Sequence, residues 1–212
     1  RLRFMSNRAT AREIVVGAIL ILAAVGSYEL LNHIGRPNLI SIDTPLDSLI
    51  PLLPIFVVPY LSFIPLVFLA MPLLALRDRV VFKSFAWAVF VTQMILNVLY
   101  VLVPATVVRP PLDGSDVFSV LLRDLVWGLD EPVNTFPSNH VALSVIAIFA
   151  LARLSLSKWV TLALQLWLGV ICVSTLFVHQ HVIPDVIAGA SIGAASFVIV
   201  YRIANRARVQ NG

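Results

Sequence analysis

The chain has 212 residues, of which 59% are hydrophobic and 12% charged, with a formal net charge of +4 and a mean hydropathy of +0.95. Soluble domains carry about a quarter charged residues, so these proportions exclude a water-soluble globule and point to one bundle of helices in lipid. Cys172 is the single cysteine, which excludes an internal disulfide and a cysteine-held zinc.

A helix that crosses a bilayer needs about 20 mostly apolar residues. Six runs qualify as candidates: Glu13–His33, Ile50–Leu76, Val80–Pro104, Asn139–Leu154, Lys158–Phe177 and Pro184–Tyr201. The basic residues ahead of the first run, and its length, favour a retained helix over a cleaved leader. Pro51, Pro54, Pro59, Pro65 and Pro72 in the second run each remove a backbone donor, so that helix is expected to be kinked. Gln93 and Asn97, one turn apart in the third, read as an interhelical hydrogen-bonding pair. The fourth run is short, as expected of a helix that starts at a site inside the membrane boundary. The longest connection, Ala105–Pro137, alternates Val117, Val120, Leu121, Leu125 and Trp127 with Arg123 and Asp124, a pattern that predicts a short amphipathic helix on the outer leaflet. The expected fold is therefore all-α, a polytopic membrane protein of six spans plus that surface helix, forming a single domain over 1–212. No sheet is expected, because an open sheet leaves unsatisfied backbone groups in lipid.

Sorting the charges by loop gives the orientation, since short cytoplasmic loops hold the excess of Lys and Arg. Twelve of the 15 basic residues fall on one side, and only Arg36, Arg109 and Arg123 on the other. Both termini are thus expected in the cytoplasm, and the basic balance is topological, with no nucleic-acid partner. The opposite side collects His33, His140, His179 and His181 together with most of the acids, so the chemistry is expected there.

Two clusters stand out. Phe136-Pro137-Ser138-Asn139-His140 closes the long loop and opens the fourth span. Ser138 reads as a helix cap there, at a helix N-terminus that favours an anion. A histidine at that depth is costly and reads as functional. The second cluster runs from Ser174-Thr175 through His179-Gln180-His181 to Pro184-Asp185. His181 and Asp185 lie four apart, so one helical turn lets the carboxylate orient the imidazole and fix its tautomer. Arg109, followed by Pro110 and Pro111, is read equally as a phosphate ligand or as the partner of a lipid headgroup or of Asp113.

Arg109-Pro110, then Pro137-Ser138-Asn139-His140, then Ser174 followed by His181 and Asp185, resemble in order and spacing the three motifs of the type 2 phosphatidic acid phosphatase superfamily. The resemblance implies that His181 attacks phosphorus to give a phosphohistidine and that Asp185 orients it. His140 serves as acid for the leaving oxygen and then as base for the acceptor. It further implies phosphate binding by Arg109, Ser138, Ser174, Asn139 and Thr175, an accessory place for His179, no metal or other cofactor, and catalytic motifs within 105–190. The motifs depart from the family pattern at Leu102, where a lysine is usual, and at Thr175, where an arginine is usual. The Ser174-Thr175 start, the extra histidine and Phe136 resemble the inositol phosphorylceramide synthase branch. The expected function is a lipid phosphatase acting on a phosphomonoester or diphosphate at the non-cytoplasmic face. The alternative is a phosphotransferase that passes a headgroup phosphoryl, such as inositol phosphoryl, to a lipid alcohol.

Two other classes compete. A metal hydrolase would take His140, His179, His181 and Asp185 as ligands. A transporter would place its polar residues near the midplane, whereas here they gather at one boundary.

Overall fold

The computed structural model describes residues 8–34 and 38–210; Arg1, Arg3 and Arg36, used above in sorting the charges, lie outside them. The fold is all-helical. Its elements are α1 (Ala11–Asn32), β1 (Ile40–Ser41), α2 (Val57–Arg77), α3 (Arg79–Leu102), β2 (Ala105–Thr106), α4 (Val117–Val120), α5 (Asn139–Leu151), α6 (Lys158–Phe177) and α7 (Ile183–Gln210). Among the described residues five helices are long and apolar enough to cross a membrane, namely α1, the segment Pro54–Arg77 that includes α2, α3, α6 and α7. The sixth expected span, α5, has 13 residues and is about 20 Å long at 1.5 Å per residue, short of a hydrocarbon core of about 30 Å.

The helix ends follow from local chemistry. Thr10 and Glu13 form a reciprocal capping box at the start of α1. Asp78 accepts from the N–H groups of Val80 and Val81 and so starts α3 immediately after α2 ends. Of the five prolines in the second run, Pro59 sits in the first turn of α2 and Pro65 and Pro72 lie in its interior. Pro54 opens a short 3₁₀ turn, Pro54–Phe56, ahead of it, so the helix begins later than the apolar run does. At the other extreme α7 continues to Gln210, past Tyr201, because nothing in Arg202–Gln210 breaks a helix once lipid no longer demands apolar residues.

Chain direction alternates along the long helices α1, α2, α3, α5, α6 and α7, so each of these has one end toward the histidines and one end away from them. At the far end Arg79 pairs with Glu13 at 2.8 Å, and the N–H of Ala9 donates to the carbonyl of Ala75. At the near end the hydroxyl of Tyr100 donates to the carbonyl of Pro137 at 3.1 Å, and the N–H of Leu53 donates to the carbonyl of Phe177. Phe82, Phe85 and Val89 of α3 pack with Ile146 and Ala150 of α5 and Phe197 of α7 to form the main core. Gln93 donates to Asn97, which donates to Ser27 of α1, so this polar pair does bridge two helices.

One expectation fails in detail. Ile40–Ser41 and Ala105–Thr106 pair as two short parallel strands, and Thr106 bridges Val133. They sit in the loops at the histidine end, beyond the helix ends, where pairing of β1 with β2 satisfies backbone groups that the helices cannot reach. The long connection contains α4, extended by a π-helical segment over Leu121–Trp127. Its Leu122 and Val126 are buried against Val57, Tyr60 and Val178, while Val117, Val120 and Leu125 face outward.

Candidate active site

The frame is a backbone contact between α5 and α7. A Cβ at Gly189 would collide with the carbonyl oxygen of Ser138, and one at Gly193 with that of Ala142. Gly189 and Gly193 are four apart, so both lie on the same face of α7. Their missing side chains let the two backbones touch, as small residues do between helices in lipid. The N–H of Ser138 then donates to the carbonyl of Asp185 at 3.0 Å. Together these contacts join the segment carrying His140 to the one carrying His181.

Ser138 is fully buried and acts as the cap expected of it, its Oγ accepting from Val141 N–H at 3.3 Å. His140, in the first turn of α5, has no such polar mount. Its ring is stacked on Tyr60 at 4.5 Å between centroids and lies 4.5 Å from Phe63, both from α2. His181 is held differently. Its Nδ1 lies 2.9 Å from the carbonyl oxygen of Thr135 and 3.2 Å from Asp185 Oδ2. Both partners are acceptors, so Nδ1 carries the proton and Nε2 presents a lone pair. Asp185 is fully buried, and its Oδ2 also accepts from Val182 N–H at 3.0 Å. Pro184 sits within the first turn of α7 and leaves this pairing intact. The two imidazole centroids are 6.3 Å apart.

Both histidines wall a cavity of about 20 Å³, together with Tyr28, Tyr100, Asp130 and Asn139 among others. That volume suits one water-sized group, so side chains at its mouth must move before a phosphoryl group fits. Asn139 reaches this cavity, and its Oδ1 has no hydrogen-bond partner. Arg109 stands outside it and is bound to its wall. Its guanidinium donates to the carbonyls of Trp127 at 3.1 Å and Asp130 at 2.8 Å, and to Gln180 Oε1 at 2.5 Å. It lies over the Trp127 ring, 5.7 Å from the centroid, and its buried Nε has no partner. Burial pulls the Arg109 pKa below its ordinary value, opposed by the neighbouring Asp130 carboxylate.

The hydroxyls of Ser174 and Thr175 donate to carbonyls of their own helix, those of Ile171 and Cys172, at 2.7 and 2.8 Å. Neither residue walls the small cavity. The backbone of Thr175 does reach the site, because its carbonyl accepts from the N–H groups of both Gln180 and His181. Leu102, in the position of the missing lysine, is 69% exposed at the end of α3.

His179 takes a left-handed conformation, φ 51°, which turns the chain at the end of α6. It walls a second cavity of about 170 Å³ together with Asp43, Asp47, Ser48 and His181. Burial lowers the His179 pKa, against a hydrogen bond to the backbone of Ile50, and its Nε2 is without a partner. Asp47 ties this cavity to α7 by accepting from Ile183 N–H at 2.7 Å. Among the described residues no three His, Cys, Asp or Glu side chains converge to hold a metal ion, so the metal-hydrolase reading finds no ligand set.

Several residues at the site escaped sequence reasoning. Asp130 is the main one: burial pushes its pKa above the ordinary carboxylate value, opposed by Arg109 and His181. Thr135, Trp127 and Asp130 act on the site through backbone carbonyls, which carry no signal in side-chain identity. Gly189 and Gly193 did carry one, the four-residue spacing of two glycines in an apolar helix.

What the geometry defines is a membrane-type helical bundle with an oriented histidine facing a second histidine at one end. The model of the PAP2 superfamily matches residues 84–208, more than half of the chain, and the chain belongs to that superfamily. Membership points to phosphatase or phosphotransferase chemistry on lipid-like substrates. Comparison with curated proteins and with solved structures finds no match. The matched stretch holds α5, α6 and most of α3 and α7, whereas Tyr60 and Phe63, against which His140 packs, lie outside it.

Proposed function

We propose that the protein is a membrane-embedded lipid phosphatase that hydrolyses a lipid phosphomonoester or diphosphate through a phosphohistidine. The observation that carries this reading is the doubly accepted Nδ1 of His181, which leaves Nε2 as a lone pair directed away from Asp185. In the first step Nε2 of His181 forms a bond to phosphorus as the bond from phosphorus to the lipid oxygen breaks, and protonated His140 delivers its proton to that oxygen. In the second, neutral His140 takes a proton from water, the water oxygen bonds to phosphorus, and the electrons of the N–P bond return to His181. Arg109 and Asn139 supply the polar contacts to the phosphoryl oxygens once the cavity widens, with the capped start of α5 at Ser138 behind them. Ser174 and Thr175 support the floor of the site through their helix.

The charge distribution supports both termini in the cytoplasm and the histidines at the opposite face, with α5 as a sixth, partial span and 1–212 as one domain. The outward apolar residues of α4 and its extension suit a helix resting on the outer leaflet.

A second reading, transfer of the phosphoryl group to a lipid alcohol, draws on the 170 Å³ cavity beside His181. Its Asp43, Asp47, Ser48 and His179 offer hydrogen-bond acceptors that suit a hydroxyl-bearing group. It is also the reading suggested by the resemblance to the inositol phosphorylceramide synthase branch. The test is phosphate release by the purified protein from a panel of lipid monophosphates and diphosphates, each with and without a lipid alcohol. Release that does not depend on the alcohol supports the phosphatase. Lipid product formed only with the alcohol supports the transferase, and neither outcome in any member of the panel sinks both.

A further inference from the structure

The far end of the bundle holds a pair of grooves that the chemistry at the histidines does not use. One, of about 410 Å³, runs between α1 and α3 over Gly17, Phe82 and Ala86, and at its mouth stand Arg12, Arg79 and Lys83. The other, of about 350 Å³, runs between α3 and α7 over Val91, Val200 and Ile203. Both are within the range of small-molecule sites. Lys83 and Trp87, one turn apart on α3, wall both grooves and form the ridge between them. Trp87 is 44% exposed, a little over two turns into α3, an amphipathic ring of the kind that anchors near headgroups.

We infer that this end binds one anionic diacyl phospholipid astride Trp87, with an acyl chain in each groove and its phosphate at Lys83, Arg79 and Arg12. Charge complementarity selects the anion. Among the described residues Glu13 is the one acid walling the groove with these three cations, and it pairs with Arg79 at 2.8 Å and Lys83 at 3.2 Å. The next acid, Asp78, is occupied in capping α3 and in facing Arg208 at 4.0 Å. Two positive charges are left over where a basic pocket between membrane helices attracts anionic lipid. The shape selects two chains, because the apolar floors lie on opposite sides of one ridge. Gly17 makes the first floor: a Cβ there would come within 2.6 Å of the Phe82 ring, so its absence lets the tip of the ring reach α1.

The experiment is native mass spectrometry of the full chain in mild detergent, offered phosphatidylglycerol and phosphatidylcholine of equal chain length in equal amounts. Wild type is expected to retain phosphatidylglycerol over phosphatidylcholine about tenfold or more, and to lose that preference as salt rises from about 0.05 to about 0.5 M. Arg12→Gln with Lys83→Gln removes the preference, at about fivefold for each cation. Trp87→Ala lowers retention of both lipids alike. His181→Ala leaves the preference intact, which separates this site from any lipid held at the histidines. Equal retention of the two lipids by wild type, a preference insensitive to salt, or its loss in His181→Ala would overturn the inference. The salt arm uses wild type alone, so it decides the matter even if the double variant folds poorly.

Discussion

His140 and His181 are mounted in opposite ways. His181 is gripped through one nitrogen by a backbone carbonyl and a fully buried carboxylate, whereas His140 is wedged by ring faces, with Tyr60 stacked on it and Phe63 beside it. A nucleophile needs one tautomer held throughout, and directional hydrogen bonds provide that. A group that gives a proton in one step and takes one in the next must change its protonation state twice, and contact with ring faces fixes its position without fixing its proton. The same contrast appears in what surrounds them, since His181 depends on backbone geometry and His140 on side-chain shape.

The largest separation between the two mounts is expected from Asp185→Asn. Loss of the carboxylate frees the His181 tautomer, and turnover should fall by about 10² to 10⁴, read as phosphate release with substrate affinity changed much less. A fall below about tenfold would mean that Thr135 alone orients the ring. Next comes the frame itself. Gly189→Ala places a methyl group against the Ser138 carbonyl and pushes the start of α5 away from α7. Activity should drop about a hundredfold, with a stability loss of about 1–3 kcal/mol in thermal unfolding. Unchanged activity and stability would show that the backbones do not need to touch. On the His140 side, Tyr60→Leu should cost about tenfold in turnover and Tyr60→Phe about twofold at most, so an equal loss in both would point to the hydroxyl instead of the stack.

The smallest effect concerns Asp130. Its carboxyl is raised above the unfolded value by burial, so the folded state favours the neutral form. The cost of holding it charged is absent below the ordinary carboxylate range, about pH 4, and is incurred as pH rises through the folded value. Asp130→Asn should therefore raise the unfolding midpoint slightly at neutral pH, with the gain vanishing in acid. A gain that grows in acid would have the wrong sign.

The sequence was informative wherever a signal is local. Apolar runs located the helices, Lys158–Phe177 to the residue, and the Gln93 and Asn97 pair was read correctly as an interhelical bridge. The i, i+4 spacing of His181 and Asp185 foretold a contact that the structure contains. What stayed hidden was non-local. The pairing of β1 with β2 joins two-residue segments 65 positions apart in register, too short to show any alternation. Arg109 offered Asp113 as a neighbour in sequence, yet its partners are Trp127, Asp130 and Gln180, which only the folded loops bring within reach. The resemblance implied Ser174 and Thr175 as phosphate ligands, and it could not tell that both hydroxyls donate to carbonyls of their own helix.

The central claim is that His181, and not His140, carries the phosphoryl group. Brief reaction with a lipid phosphate labelled in its phosphorus, an alkaline quench that preserves phosphohistidine, and mapping of the label by peptide mass spectrometry address it directly. The label is expected on His181 in wild type, absent in His181→Ala, and retained or enriched in His140→Ala. Label on His140, or full turnover with no label on either residue, would contradict the account.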